Sequence, residues 1–286
     1  MPMLTALIDV WKVLAMPIIS LPMYDWPEVR EATDTWAHGI ARHLRQHGFP
    51  EAPSELLRCE NYGEVWLSPD LLLSQTCGYP LTHTYPRCLM PVVTPHYSVE
   101  GCAGPHYSSF IMVHRSANVH QLSDLRSHVS AINDRHSMSG MLALKLMFAP
   151  LARAGDFFAR TVETGSHLNS LQAVQQGKAD VCAIDAVCLA MAKRYRPELL
   201  EGLTELARSP SAPGLPMVTS LRRSAEEIVR LRRALEAAFA DSTLEHAREA
   251  LFLAGASVLD IDDYTIILNL ERDVQRHGDL TLWQAA

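Results

Sequence analysis

Between residues 128 and 195 the chain alternates short apolar runs with helical patterns, and this alternation restricts the fold more than any other feature. Apolar runs typical of strands lie at 128–132, 161–164 and 179–184. Helical periodicity follows the last two runs, at 168–176 and 186–195. Strands that alternate with helices in this way predict an α/β domain with a mainly parallel sheet.

The remaining segments extend this pattern toward both ends of the chain. Further strands are predicted at 17–21, 64–67, 71–74, 88–93, 110–114 and 203–208, and helices at 28–46, 137–151, 225–240, 243–254 and 262–277. The order of these segments predicts two α/β lobes. Residues 1–113 plus 207–286 form the larger, discontinuous lobe, and residues 114–206 form a smaller inserted lobe.

Composition and charge exclude several classes of protein. The chain is 48% hydrophobic and 20% charged, which is enough apolar material for a packed core. Its 32 acidic residues outnumber 25 basic ones, and no basic block occurs, so we predict no nucleic-acid partner. No run of about 18 apolar residues occurs, so we predict no membrane span.

The amino-terminal 19 residues are apolar but do not have the pattern of a signal peptide. Asp9 and Lys12 interrupt the stretch, and no positive region precedes it. Met16 is an alternative start, with residues 1–15 as an upstream extension. The location is therefore left open between the cytoplasm and an exported compartment.

Cysteine and histidine spacing gives no metal signature. The six cysteines contain no CxxC pair, and the thirteen histidines contain no HExxH motif. Free thiols are the simpler interpretation, and a single bridge from Cys77 to Cys102 is the alternative. We predict no metal and no cofactor.

The segment 133–140 places small hydroxyl residues at the start of a predicted helix. Ser137 and Ser139 offer hydroxyls, and the first amides of a helix, such as that of Met138, have no partner within the helix. Such a start is suited to binding an anion. The alternative is an ordinary serine N-cap.

Two further segments carry polar residues next to helix starts. Ser166 and His167 follow Gly165 at the start of the helix at 168–176, where they form either an anion site or a cap with an exposed histidine. Asp185 ends an apolar strand, and a buried carboxylate needs a partner. It either caps the next helix or accepts a hydrogen bond from a ligand. Tyr79 and Tyr107 lie beside Gly and Pro, a setting that suits the rim of a binding site.

In order and spacing, these motifs resemble a known family. The segments Tyr107-Ser108, 123–126, 137–140, 165–167 and 177–181 are similar to those of the phosphate, phosphite and phosphonate substrate-binding proteins of ABC transporters, in the periplasmic phosphonate-binding branch. The resemblance covers about residues 64–220.

The resemblance implies a two-lobed clamshell of the type II periplasmic-binding-protein fold, an α/β fold with mixed, mainly parallel sheets flanked by helices. It implies non-catalytic binding of a small oxyanion between the lobes, and an ABC permease as partner. By position, the resemblance assigns ligand binding to Tyr24, Tyr79, Tyr107, Ser137, Met138, Ser139 and His167. Leu168 stands where the family commonly has an acid, and Cys77 is unusual.

A carboxylate in an oxyanion site restricts the ligand. If Asp185 lines the site, it favours a ligand that carries an O–H or an ammonium group, as phosphate, phosphite or an aminoalkylphosphonate does. Sulfate carries neither and is therefore predicted to be excluded. An unmatched buried acceptor costs about 1–3 kcal/mol.

Two other functions are compatible with the sequence. The same fold occurs in cytoplasmic ligand-sensing proteins. A thiol enzyme would pair Cys77 with His106 or His167, although no local signature supports such a pair.

Overall fold

The computed structural model describes residues 16–278 and 280–282. Two predictions concern residues 1–15, namely that they lack the pattern of a signal peptide and that they form an upstream extension if Met16 is the start. These residues lie outside the described part of the chain. The described chain forms two compact units. The first unit comprises residues up to 76, 85–95 and 215–260, and the second comprises 77–84, 96–214 and residues from 261 onward.

Thirteen strands are described. They are β1 Ile18–Ser20, β2 Leu71–Gln75, β3 Leu89–Tyr97, β4 Cys102–Ala103, β5 His106–Tyr107, β6 Ser109–His114, β7 Val129–Ile132, β8 Arg160–Glu163, β9 Val181–Asp185, β10 Leu203–Arg208, β11 Ala212–Pro213, β12 Met217–Ser220 and β13 Leu253–Ser257.

Nine α-helices accompany the described strands. They are α1 Arg30–Gln46, α2 Tyr62–Leu67, α3 Ala143–Phe148, α4 His167–Gln175, α5 Ala186–Tyr195, α6 Ala225–Ala240, α7 Glu245–Ala250, α8 Ile261–Tyr264 and α9 Ile266–Arg276. Two single turns, Pro80–Thr84 and Met138–Leu142, are wound as π-helix.

The first unit is built on a five-stranded sheet of order β1-β2-β12-β3-β13. β2 runs parallel to β1 and antiparallel to β12. All five residues of β2 are buried, as expected for a central strand that is covered on both faces. Helix α1 packs against α6 through a face that includes Trp36, Ile40 and Leu44, each at most 1% exposed. Periodic burial of this kind gives α1 most of its stability.

The second unit has a sheet of order β10-β6-β9-β7-β8 and a small sheet of order β11-β5-β4. β7 runs parallel to both β8 and β9, whereas β6 is antiparallel to β9 and β10. The carboxyl ends of β7 and β9 therefore lie at the same edge of the sheet. The segments that follow these two strands, from 133 and from 186, leave the sheet at that edge.

Several sequence predictions of secondary structure differ from the structure. Residues 64–67 belong to helix α2 and not to a strand. The helix predicted at 243–254 ends at Ala250, after which β13 begins. Strand β12 was not predicted, because its four residues follow a Pro/Gly-rich stretch and show no alternation of their own.

The sheets are mixed, as predicted, but parallel pairing does not predominate in them. Three of the described neighbouring pairs in the two large sheets are parallel, and four are antiparallel. β6 and β10 cause the difference in the second unit, because each lies antiparallel to its neighbours. The alternation of helices and strands in the sequence does not predict the antiparallel pairs, because the relative direction of two neighbouring strands depends on the long connections between them.

The predicted lobe boundaries differ from the boundaries of the compact units. Residue 113 lies within β6 and residue 206 lies within β10, and these two strands pair with each other in one sheet. The division between units falls instead at 76/77, 84/85, 95/96, 214/215 and 260/261. The second unit therefore includes the segment 77–84 and helices α8 and α9, which the sequence assigned to the larger lobe.

Candidate functional site

Ser137 begins the turn that follows β7. Its side-chain oxygen accepts a hydrogen bond from the amide of Gly140 at 2.9 Å, so Ser137 is the N-cap of the following turn. The turn Met138–Leu142 is wound as π-helix and continues into α3. The cap interpretation of Ser137 is therefore confirmed. Its oxygen also lies 3.5 Å from Ser139 Oγ, so the two hydroxyls are neighbours.

Gly140 allows this turn to form close to β7. A Cβ atom at Gly140 would collide with the side-chain oxygen of Asn133, which lies just beyond the end of β7. That oxygen is buried, and no described residue forms a hydrogen bond with it. The turn is thus packed tightly onto the sheet edge, and only glycine fits at position 140.

Ser139 and His167 join the two segments that the sequence identified separately. Ser139 Oγ lies 2.9 Å from His167 Nε2, and Ser139 is 5% exposed. Ser166 precedes the histidine and caps α4, since its Oγ accepts from the amide of Asn169 at 3.1 Å. Gly165 takes a φ of +84°, which lets the chain turn from β8 into the helix. The starts of these two helical segments therefore lie together.

The imidazole of His167 is uncharged at neutral pH. Burial lowers the pKa of His167 to about 4, and a weaker backbone interaction with Ala183 opposes the shift. Its Nδ1 is buried, and no hydrogen bond of good geometry reaches it. His167 thus acts in this site as a neutral hydrogen-bonding group.

Tyr107 brings a buried hydroxyl to the same place. The residue is 4% exposed, and its hydroxyl has no hydrogen-bond partner of good geometry among the described residues. Ser139 lies close enough to lower the pKa of Tyr107 somewhat, but burial raises that pKa well above its usual value. The phenol stays protonated and can therefore donate a hydrogen bond to a ligand.

Cys77 is a further member of the cluster, and the sequence analysis noted only that a cysteine is unusual at this position. The amide of Met138 donates to Cys77 Sγ at 3.4 Å, a weak bond because sulfur is a poor acceptor. Burial raises the pKa of Cys77, which is the opposite of what a thiolate nucleophile requires. None of the six cysteines forms a disulfide, so the alternative bridge from Cys77 to Cys102 is not formed in this structure.

Asp185 caps helix α5. Its Oδ1 accepts from the amides of Val187 at 2.7 Å and Cys188 at 3.2 Å, and the residue is 1% exposed. Burial is the main cause of the raised pKa values of Cys77, Tyr107 and Cys102, and the charge of Asp185 raises them further, so the carboxylate acts on the same cluster. Of the two interpretations from the sequence, the cap is confirmed, and the ligand contact stays a prediction.

Tyr79 has internal partners. Its ring stacks on that of His83 at 3.8 Å between centroids, and its hydroxyl donates to Glu271 of α9 at 2.8 Å. The Nε2 atom of His83 lies 2.9 Å from the second oxygen of Glu271. Tyr24 belongs to the first unit, in a turn after β1 with a φ of 65°. Ligand roles for Tyr24 and Tyr79 stay predictions.

The described part of the chain offers neither a metal centre nor a membrane span. Nowhere in it do three His, Cys, Asp or Glu side chains converge in a way that could hold an ion. Each of its helices is too short or too polar to cross a bilayer.

The sequence profile of one family matches residues 71–264. That family is described as the periplasmic substrate-binding proteins of phosphonate ABC transporters. The chain belongs to this family. The match spans every residue of the cluster around Ser139, from Cys77 to Asp185, and the family resemblance stated from the sequence is confirmed. Among proteins with curated descriptions, none matches this chain.

Solved structures show the same fold at low identity. A binding protein component of an ABC phosphonate transporter from Pseudomonas aeruginosa superposes with a TM-score of 0.73 at 18% identity, covering 92% of this chain and 88% of its own. PhnD1 from Prochlorococcus marinus, in complex with methylphosphonate, gives 0.71 at 12% identity, covering 92% and 99%. A Xanthomonas citri protein bound to chloride ion gives 0.71 at 19% identity, covering 93% and 99%.

These comparisons confirm the predicted fold class, the α/β fold of periplasmic binding proteins with mixed sheets flanked by helices. The family is periplasmic and consists of substrate-binding proteins, which are not enzymes.

Proposed function

We propose that this protein is the substrate-binding component of an ABC transporter and that it binds a small phosphorus oxyanion of the phosphonate, phosphite or phosphate class without transforming it. The donors lie in the second unit, at the carboxyl edge of β7 and β9. The observation that carries the proposal is the convergence of Ser139, His167 and the unpartnered hydroxyl of Tyr107. Family membership and the methylphosphonate complex of PhnD1 support the choice of ligand.

The number and burial of the donors suit an oxyanion. The hydroxyls of Ser137, Ser139 and Tyr107 and the amide of Met138 all belong to residues that are at most 5% exposed. Buried donors of this kind lose hydration on folding and recover it only through a suitable acceptor. An oxyanion with three or four oxygens supplies several acceptors at once.

The site chemistry supports a binder over the thiol enzyme that the sequence left open. Cys77 has a raised pKa, His167 is directed to Ser139, and His106 is exposed. A nucleophilic thiol needs a nearby base and a lowered pKa.

Calorimetric titration and thermal unfolding with methylphosphonate, phosphite and phosphate test the proposal. A ligand present at 100 times its dissociation constant stabilises a one-site protein by about 2.7 kcal/mol. We expect at least one of the three to raise the unfolding temperature without being consumed. If none of them stabilises the protein, the proposal is wrong.

A pair of serine variants locates the site. Ser139→Ala should weaken binding, whereas Ser224→Ala should not, although both remove a serine hydroxyl near a helix start. Ser224 caps α6 in the first unit, where its oxygen accepts from the amide of Glu227 at 3.2 Å. Equal affinities for both variants and the parent protein would move the site away from Ser139.

We further propose that the protein works in the periplasm and delivers its ligand to an ABC permease. The setting of the family supports this location. Release of the full chain by osmotic shock of the native cell tests it. Retention of the protein with a cytoplasmic marker would favour the ligand-sensing alternative.

A further inference from the structure

The hydrogen-bond donors around Ser139 are all electrically neutral. Ser137 and Ser139 carry hydroxyls, Met138 has an amide that donates only a weak bond to the sulfur of Cys77, and Tyr107 has a phenol whose pKa is raised by burial. His167 carries no charge above about pH 4 to 5, because burial holds its pKa at about 4. Lys and Arg side chains, which usually neutralise doubly charged phosphate groups, take no part in these contacts.

The charge that acts on this cluster is negative. Burial is the main cause of the raised pKa values of Cys77, Tyr107, Cys102 and Cys188, and the charge of Asp185 raises all four further. These four groups belong to four different segments of the second unit. The two bonds that Asp185 accepts from backbone amides favour the ionised carboxylate. The other titratable group on β9 is Cys182. Burial raises the pKa of Cys182, so this thiol stays neutral.

Three basic groups near the cluster in sequence pair with acids elsewhere. Arg135 lies 2.8 Å from Glu163, and the side chain of His136 is 65% exposed and lies 3.4 Å from Asp134. On the far part of α5, Lys193 lies 3.6 Å from Glu100. These pairs lie at exposed positions, where solvent screens their charge.

From these contacts we infer that the site selects the singly charged form of its oxyanion and discriminates against the doubly charged form. The inference rests on the proposed function and adds the charge state of the ligand to it. Neutral donors stabilise one negative charge by hydrogen bonding, but a second charge near the Asp185 carboxylate is repelled in a buried, weakly screened site. The proton that a singly charged phosphonate retains can also be donated to an acceptor.

Affinity measured against pH tests the inference. Between about pH 6 and about pH 9 a methylphosphonate ion loses its second proton, as phosphate monoesters do near pH 6. His167 does not titrate in this range, because its pKa is about 4. We expect the affinity for methylphosphonate to fall about tenfold for each pH unit above the second pKa of the ligand.

Hypophosphite is the matched control ligand, because it carries a single charge throughout this range. If hypophosphite binds, its affinity should stay constant within about twofold over this pH range. Any larger change in its affinity measures the titration of groups of the protein itself. A methylphosphonate affinity that stays constant or increases toward pH 9, after correction by this control, contradicts the inference. Failure of every phosphorus oxyanion to bind contradicts the proposed function instead.

Asp185→Asn tests the origin of the discrimination. The amide oxygen of asparagine can still accept from Val187 and Cys188, so the cap is kept while the charge is removed. We expect the fall in methylphosphonate affinity toward pH 9 to become at least threefold smaller than in the parent protein. An unchanged slope in a folded variant contradicts the role of Asp185. If the variant does not fold, the two-ligand comparison in the parent protein still decides the inference.

Discussion

At the scale of single residues, Tyr107 shows how a ligand site differs from ordinary core. A buried hydroxyl without a partner destabilises the protein by itself, and such groups are rare in folded proteins. The apolar body of the ring is packed and only its polar end is unsatisfied. The ligand-free protein therefore carries a local energetic cost that a suitable acceptor removes.

Tyr107→Phe should consequently change stability and affinity in opposite directions. Without ligand, the variant should be as stable as the parent or more stable, because phenylalanine removes the unsatisfied hydroxyl. Its affinity for the oxyanion should be weaker by about 1–3 kcal/mol. Thermal unfolding and calorimetric titration measure the two effects. A variant that is less stable and binds as tightly as the parent would show that the hydroxyl is structural.

His167 makes a second prediction, about acid stability. Its pKa is about 4 in the folded protein and 6.5 without the perturbation, so below pH 6.5 the unfolded chain binds more protons. The free energy of unfolding should therefore decrease as the pH falls from about 6.5 to about 4, by at most about 3 kcal/mol from this residue.

His167→Gln should remove this contribution while keeping a side chain that can hydrogen-bond. Denaturant unfolding of both proteins at several pH values measures the difference. Above pH 6.5 the free energy of unfolding should depend on pH in the same way in the parent and in the variant. Identical slopes between pH 4 and pH 6.5 would contradict the buried, neutral state of His167.

At the scale of elements, the sequence predicted the helices and strands that carry their own periodicity. Helix α6 was predicted at 225–240 and β10 at 203–208, and the structure has both with these bounds. The strand predicted at 64–67 was wrong because Val, Trp and Leu favour a strand by composition, whereas burial of Val65 and Trp66 stabilises a short helix.

The donor segments were predictable for a similar reason, since small hydroxyl residues before a helix have a local signature. Their meeting was not predictable in the same way. The contact between Ser139 and His167 depends on the parallel pairing of β7 with β8 and β9, which brings distant residues to one edge. The partner of Tyr79 could not be predicted from local sequence either, because Glu271 on α9 lies almost 200 residues further along the chain.

The π-helical turn at Met138–Leu142 gives a prediction at this scale. Gly140→Ala should lower the free energy of unfolding by about 1–3 kcal/mol, because the added methyl group collides with Asn133. The shifted turn should also weaken oxyanion binding. Denaturant unfolding and calorimetric titration measure both.

The collision can be relieved by a second substitution. Adding Asn133→Ala removes the side chain that the new methyl group meets and should restore part of both losses. Because the two residues are in contact, the two effects should not add. Additive losses would show that the glycine is needed for another reason.

At the scale of the whole molecule, ligand discrimination follows from the arrangement of charges. Sulfate has the shape of phosphate but carries two negative charges and no proton near neutral pH. We expect it to stabilise the protein by at least about 1.4 kcal/mol less than phosphite at the same concentration, which is a tenfold difference in affinity. Thermal unfolding with each anion, at constant ionic strength, measures this. Equal stabilisation by sulfate and phosphite would contradict the proposed charge selection.

The contacts of the segment 77–84 have a consequence for the order in which the molecule is made. One end of the segment is tied to the donor turn through Cys77 and Met138, and the other is tied through Tyr79 and His83 to Glu271 on α9. A ribosome synthesises Glu271 long after the serines and the histidine have emerged. A chain that is arrested before Glu271 would therefore contain all the donor residues but lack the contacts of Tyr79 and His83 with α9.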